Sequence, residues 1–167
     1  DTREPQNSRW YTGGGLFRDV HLVITDPQQY FTRNSLYITT PKVGDSEATV
    51  AIQAEIACDI RTKDFKVNTR IYDATGKVVY DQDRNIAFNR KQIIREYPID
   101  SFAISDPSLW GCESPYLYKA ELTLCRADGT VADRVSENFG IRSIEFSPEF
   151  GLKLNGKKVL LKGIANH

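Results

Sequence analysis

Hydrophobic and polar residues alternate along most of this chain of 167 residues. In the clearest run, at 48–58, Val50 and Ile52 fall on one side of the chain and Gln53 and Glu55 on the other. A period of two residues is typical of a β-strand that buries one face. Further alternating runs predict strands at residues 18–25, 35–41 and 93–99.

Turn signals divide the remaining alternating runs into pairs. The segment Asp-Ala-Thr-Gly at 73–76 splits the run at 65–83, and Ala-Asp-Gly at 127–129 splits the run at 116–144, so each predicts a β-hairpin. No segment shows a convincing apolar stripe at the spacing of a helix. About seven short strands with regular turn signals predict an all-β fold, an immunoglobulin-like antiparallel sandwich over residues 29–144.

Both flanks of this sandwich predict further structure. The ending "GLKLNGKKVLLKGIANH" at 151–167 has Asn155-Gly156 as the two-residue turn of another hairpin, followed by an apolar run. A domain usually ends in polar residues, whereas this chain stops on a strand pattern and a histidine. We therefore expect a piece of a longer protein, holding the tail of one domain, a whole middle domain and the start of a third.

Charge and hydropathy exclude several classes of partner. The formal net charge is zero and the sequence pI is about 6.9, so no overall basic field favours nucleic acid. No apolar segment approaches the roughly 18 residues that cross a membrane, and the first residues do not resemble a signal peptide. We expect neither a nucleic-acid nor a membrane partner.

The cysteines and histidines do not predict a metal centre. Cys58, Cys112 and Cys125 lie far apart, and the chain has only two histidines, so a zinc site is not expected. Buried free thiols are the preferred interpretation, with one disulfide and one remaining thiol as the alternative. No cofactor is predicted, and periplasmic, secreted and cytoplasmic locations stay open.

Several aromatic residues have two possible roles. Trp10, Tyr11 and Phe17 could stack on a sugar ring or a base, but packing at a sheet edge is preferred. Trp110, in the loop at 105–115, could be a carbohydrate platform. We prefer that it closes one end of the sandwich, with Pro115 setting the entry to the next strand.

Four segments together resemble a known family. They are "WYTGGGLFRDVHLVITDP" at 10–27, "DPSLWGCESPYLYKAELTL" at 106–124, "FGIRSIEF" at 139–146 and "LKLNGKKVLLKGIANH" at 152–167. In order and spacing they are similar to segments of glycoside hydrolase family 2, which contains multidomain β-galactosidases, β-glucuronidases and β-mannosidases. The pattern around Trp110 and Tyr118 and the Asn-His ending look closest to bacterial β-galactosidases.

The resemblance implies three domains. Residues 1–27 would be the C-terminal end of a sugar-binding jelly-roll domain, 28–145 the immunoglobulin-like sandwich, and 146–167 a linker with the first strand of a (β/α)₈ barrel. His167 would then stand just past that strand, at the end of the barrel where such enzymes build their active sites. The resemblance implies that His167 contacts substrate and that Asn166 flanks it. In this chain alone, His167 would be a solvated terminal residue without a role.

The implied chemistry is retaining hydrolysis of β-glycosides. That reaction needs two carboxyl groups about 5–5.5 Å apart, one as acid/base and one as nucleophile. The family supplies both as glutamates on later barrel strands, beyond His167, so no residue of this chain, Glu145 and Glu149 included, is assigned a catalytic role. We expect this chain alone to be an inactive part of an exo-β-glycosidase, most simply a β-galactosidase.

Within that enzyme, the sandwich would space the sugar-binding domain from the barrel and buttress the barrel or a subunit interface. A carbohydrate is then the expected substrate of the whole protein, and a homo-oligomer is possible. The alternative is a self-contained sandwich that binds carbohydrate or mediates adhesion. Such a module should end near Ser143, soon after the last sandwich strand.

Overall fold

The computed structural model describes residues 15–16, 18–88 and 93–165. These residues form strands and turns without any helix, so they contain no helix long and apolar enough to cross a membrane. The strands are β1 (Gln29–Val43), β2 (Glu47–Cys58), β3 (Phe65–Tyr72), β4 (Val78–Ile86), β5 (Ile94–Ser105), β6 (Tyr118–Cys125), β7 (Val131–Phe139), β8 (Ile144–Ser147), β9 (Gly151–Leu154) and β10 (Lys157–Lys158).

Seven of these strands make the two sheets of a sandwich. One sheet has the order β1-β2-β5 and the other the order β4-β3-β6-β7, and every pairing is antiparallel. Three connections pass between the sheets, those from β2 to β3, from β4 to β5 and from β5 to β6, as in immunoglobulin-like folds. The prediction of an all-β antiparallel sandwich is confirmed. The remaining strands, β8, β9 and β10, form a small separate sheet.

The core lies between the two inner faces, where the alternation in sequence places apolar side chains. On β2, Val50, Ile52 and Ile56 are fully buried, and on β3 Val67 and Ile71 are buried opposite them. Burial of one such side chain contributes about 1.5–3 kcal/mol relative to exposure. The two central runs of alternating residues thus supply much of the driving force for the fold.

A polar contact joins the two sheets at one side of the sandwich. The Tyr80 hydroxyl on β4 donates to Asp100 Oδ2 on β5 over 2.6 Å, and Arg84 Nη2 donates to Asp100 Oδ1 over 2.9 Å. The Tyr80 ring stacks on Phe102 with centroids 3.7 Å apart. Since β4 and β5 are the edge strands of different sheets, we call Tyr80, Arg84 and Asp100 the edge latch.

On the opposite side of the sandwich, a backbone hydrogen bond and an ion pair join the two sheets. The amide of Phe31 on β1 donates to Asp133 Oδ2 on β7 over 2.9 Å, and Arg126 pairs with Asp26. Backbone and Arg126 hydrogen bonds outweigh the effect of burial and lower the pKa of Asp26. Both open sides of the sandwich are therefore closed by hydrogen-bonded carboxylates.

The predicted strand at 18–25 is not formed. Its apolar side chains are exposed, with Leu22 at 88% and Ile24 at 86%. Residues 159–165 likewise make no strand, and Leu160 and Ile164 are exposed at 78% and 95%. An alternating segment becomes a strand only when another strand supplies partners for its N–H and C=O groups, and the described part of the chain supplies none here.

The cysteine prediction is right in part. All three thiols are free, and Cys58 and Cys125 are buried, but Cys112 is exposed in the loop between β5 and β6. A loop outside the core offers no apolar surroundings for that side chain.

We expect Asp100→Asn to lower the free energy of unfolding by about 1–3 kcal/mol, because two donors lose a charged acceptor inside the structure. Urea unfolding followed by fluorescence measures the change. Asp81→Asn is the matched control, since the Asp81 side chain, 42% exposed, pairs with Arg70 on the surface and should matter by less than about 1 kcal/mol. Equal losses would contradict the role of the edge latch.

The sandwich should lose stability in alkali. Burial, with the hydrogen bond to Asp100, raises the pKa of Tyr80 to about 12, and burial raises the pKa of Cys58 to about 11. The folded state thus keeps both protons, whereas the unfolded chain releases them near pH 9–10, so stability falls as pH rises from about 9 to 12. Urea midpoints across this range should decline less steeply in Tyr80→Phe and Cys58→Ala. An unchanged slope in both variants would show that other groups cause the decline.

Candidate functional site

The chain leaves the sandwich at one end, where three segments meet. The loop between β5 and β6 contributes Trp110, the segment after β7 contributes Gly140, Arg142 and Ser143, and the turn between β9 and β10 contributes Asn155. We call these five residues the junction. It ties the hairpin of β9 and β10 to the end of the sandwich.

The backbone conformation of Asn155 suits a hairpin turn. Asn155 and Gly156 have φ values of 49° and 73°, the left-handed conformation that a two-residue hairpin turn requires at both positions. The turn was predicted from the dipeptide, and the structure confirms it. Within the turn, the Asn155 amide donates to the Ser143 carbonyl oxygen, and the Ser143 amide donates to Asn155 Oδ1, each over 2.9 Å.

The other side-chain atom of Asn155 reaches the loop. Asn155 Nδ2 donates to the Trp110 carbonyl oxygen over 2.9 Å, while the Trp110 amide donates to the Ile141 carbonyl oxygen over 2.8 Å. Ile141 is fully buried. One carboxamide thus ties the hairpin both to the segment after β7 and to a loop that is itself bonded to the core.

Close packing at Gly140 holds the Trp110 side chain. A Cβ atom at position 140 would lie 2.6 Å from the Trp110 Cβ, so only glycine fits there. The Arg142 guanidinium carbon lies 5.1 Å from the centre of the Trp110 ring, and Thr40 Oγ1 donates to the Arg142 carbonyl oxygen over 2.9 Å. The half-buried ring therefore packs against the end of the sandwich, as predicted, rather than standing free as a carbohydrate platform.

The residues predicted to touch substrate lie beyond the part of the chain that the structure describes. Asn166 and His167 lie outside the described residues, so their roles stay predictions. Glu145 and Glu149 are exposed at β8 and at the turn after it. Ser147 Oγ donates to Glu149 Oε2 over 2.5 Å and lowers the pKa of that carboxyl, opposite to what a general acid in glycoside hydrolysis requires.

A groove beside the junction offers no catalytic pair either. It encloses about 580 Å³ between β1 and the segment around the end of β7, with Tyr37, Glu137 and Arg142 in its lining. Glu137 is the one carboxylate among the described residues of the lining, whereas glycoside hydrolysis uses two. Within the described ranges, no cluster of three or more His, Cys, Asp or Glu side chains could hold a metal ion.

The fold and this junction can be compared with known proteins. A family model described as "Glycosyl hydrolases family 2" matches residues 33–142, more than half of the chain. The chain belongs to glycosyl hydrolase family 2. It is 31% identical over 161 residues to a β-glucuronidase of Bacteroides fragilis, a match that covers 92% of this chain and 22% of that protein. It is 30% identical over 168 residues to a β-galactosidase of Alteromonas mediterranea, covering 98% and 15%.

Solved structures give the same assignment. A family 2 member from Bacteroides cellulosilyticus superposes with a TM-score of 0.81 at 33% identity, covering 92% of this chain and 20% of that one. The chain spans between 14% and 22% of the length of the curated relatives it matches. The names of these relatives include both β-glucuronidase and β-galactosidase, so the matches assign the family and leave the sugar open.

We expect Gly140→Ala to lower the free energy of unfolding by about 1–3 kcal/mol, because the added methyl group displaces Trp110 from the end of the sandwich. Tryptophan fluorescence and urea unfolding report the displacement and its cost. Gly111→Ala is the matched control: it lies next to Trp110, but a Cβ there meets nothing within 4 Å. If the control were as damaging as Gly140→Ala, close packing at Gly140 would not be the cause.

Proposed function

We propose that this chain is the immunoglobulin-like connecting domain of a retaining exo-β-glycosidase, with a sugar-binding jelly-roll domain before it and a catalytic (β/α)₈ barrel after it. The domain itself performs no chemistry. The observation that carries the proposal is the junction, where Asn155 accepts a hydrogen bond from the Ser143 amide and donates one to the Trp110 carbonyl, and so ties the hairpin to the end of the sandwich. The chain spans only 14% to 22% of the length of its relatives, which supports further domains beside it.

Exposed apolar residues on both flanks support neighbouring domains. Leu160, Leu161 and Ile164 follow the junction, and Val20 and Leu22 precede the sandwich, all largely exposed. Apolar side chains grouped on a short segment usually belong to an interface. In the proposed enzyme, the first group lies in the opening strand of the barrel and the second in the last strand of the jelly-roll domain.

Rigidity at the junction then has a catalytic purpose. Misplacing reacting groups by about 1 Å can cost two orders of magnitude in rate, so a barrel that receives its first strand from another domain benefits from a fixed direction. Asn166 and His167 would follow that strand, with His167 contacting the sugar. Two glutamates further along the protein would act as acid/base and nucleophile.

The substrate we propose is a terminal β-galactoside. The sequence around Trp110 and the Asn-His ending favour this sugar, and β-galactosidases are among the relatives, as are β-glucuronidases. Carbohydrate is the only partner class the proposal requires, although a homo-oligomer buttressed by the sandwich is compatible with it. A self-contained carbohydrate-binding module is the competing function.

The first experiment is the intact mass of the native gene product, followed by assays with nitrophenyl β-galactoside and β-glucuronide. We expect a product several times heavier than the 18.9 kDa chain, activity on the galactoside, and no activity from the chain alone. Activity on the glucuronide alone would change the sugar and keep the role. A native product no longer than this chain, binding glycans without hydrolysing them, would support the module instead.

A further inference from the structure

The turn of the junction contains a reactive dipeptide. Asn155-Gly156 is the one Asn-Gly pair in the sequence. Asparagine before glycine is especially prone to deamidation, because glycine has no side chain to hinder attack by its own backbone nitrogen. We propose that Asn155 is a deamidation site whose reactivity is controlled by the closed junction, and that its conversion to aspartate releases the hairpin from the sandwich.

The reaction involves only this chain and water. The backbone nitrogen of Gly156, after losing its proton to solvent base, attacks Cγ of Asn155, forming a C–N bond and a five-membered succinimide. The side-chain nitrogen of Asn155 takes up a proton and leaves as ammonia. Water then opens the ring at one of its two carbonyl carbons and gives aspartate or isoaspartate, so no oxidant, reductant or cofactor is needed.

The closed junction opposes the first step. Attack requires the carboxamide of Asn155 to turn its carbon toward the nitrogen of Gly156, whereas its oxygen accepts from the Ser143 amide and its nitrogen donates to the Trp110 carbonyl. Both hydrogen bonds must break before that rotation. Gly156 itself is exposed, so water reaches the site as soon as the junction opens. Reaction at Asn155 therefore reports opening of the junction.

The product cannot restore the closed state. A carboxylate still offers an oxygen to the Ser143 amide, but its second oxygen would face the Trp110 carbonyl oxygen in place of a donor. Two acceptors in contact, one of them charged, cost free energy where a hydrogen bond existed before. Isoaspartate also lengthens the backbone within a two-residue turn that has positive φ at both positions. Either product should leave the hairpin detached.

A second asparagine provides an internal reference. Asn34 precedes Ser35, has a φ of 56° and lies exposed in the irregular part of β1, remote from the junction in sequence. It shares with Asn155 a left-handed backbone and a small following residue. The ratio of the two deamidation rates therefore removes effects of buffer and temperature from the comparison.

The test is deamidation of the chain in mildly alkaline buffer, located by peptide mapping with mass spectrometry. We expect Asn155 to react roughly ten- to hundredfold more slowly in the folded chain than in urea, since two hydrogen bonds must break. Gly140→Ala, which displaces Trp110, should recover most of that rate. Tyr80→Phe, which weakens the edge latch instead, should have little effect. Equal rates folded and unfolded, or no acceleration by Gly140→Ala, would overturn control by the junction.

The consequence is tested with Asn155→Asp, measured by amide hydrogen exchange. We expect faster exchange at Ser143, Trp110 and Asn155, with the amides of β2 and β3 still protected. Asn34→Asp introduces the same charge at another left-handed position and should leave the junction amides unchanged. Wild-type exchange at the junction in Asn155→Asp would overturn release of the hairpin. If that variant lost protection in β2 as well, exchange of wild-type protein deamidated at Asn155 would decide the same question.

Discussion

Backbone groups that leave the end of a β-sandwich lose their sheet partners, and the structure beyond the sandwich depends on how they are satisfied. Here one side chain meets much of that requirement: Asn155 bonds both the N–H of Ser143 and the carbonyl of Trp110. Its own amide completes a pair with the Ser143 carbonyl. Because unpaired buried polar groups cost about 1–3 kcal/mol each, the hairpin has one favoured orientation and departs from it only by breaking several bonds together.

The sandwich and the junction are stabilised by different forces. Two inner faces of Val, Ile and Leu hold the sheets together, and this attraction tolerates small shifts because it has no preferred direction. The edge latch at Asp100 and the contact of Asp133 with Phe31 add direction where each sheet would otherwise present an open edge. The hydrogen bonds of the junction likewise orient the hairpin at the end of the sandwich. Polar contacts therefore set the relative orientation of the parts, whereas apolar packing holds them together.

Local patterns in the sequence predicted the features that depend on neighbouring residues alone, such as the buried face of a strand and the type of a turn. Alternation gave the buried face of β2, and Asn155-Gly156 gave a turn because few residues accept positive φ twice in succession. The segment at 18–25 failed as a strand because pairing depends on a partner that alternation cannot reveal. The second bond of Asn155, to Trp110, was missed because it joins residues 45 positions apart, and no spacing rule links a turn to a distant loop.

The described residues of the groove beside the junction do not form a pocket that distinguishes one sugar from another. Relatives named for glucuronides and for galactosides match the chain at 31% and 30% identity over nearly its whole length. If the sandwich selected the sugar, a carboxylate on the substrate should require a matching cationic pocket. Arg142, the cation lining the groove beside the junction, instead covers the ring of Trp110. Because the Arg142 guanidinium packs on Trp110, it stabilises the junction. Under the proposed function, this domain contributes to catalysis by positioning its neighbouring domains.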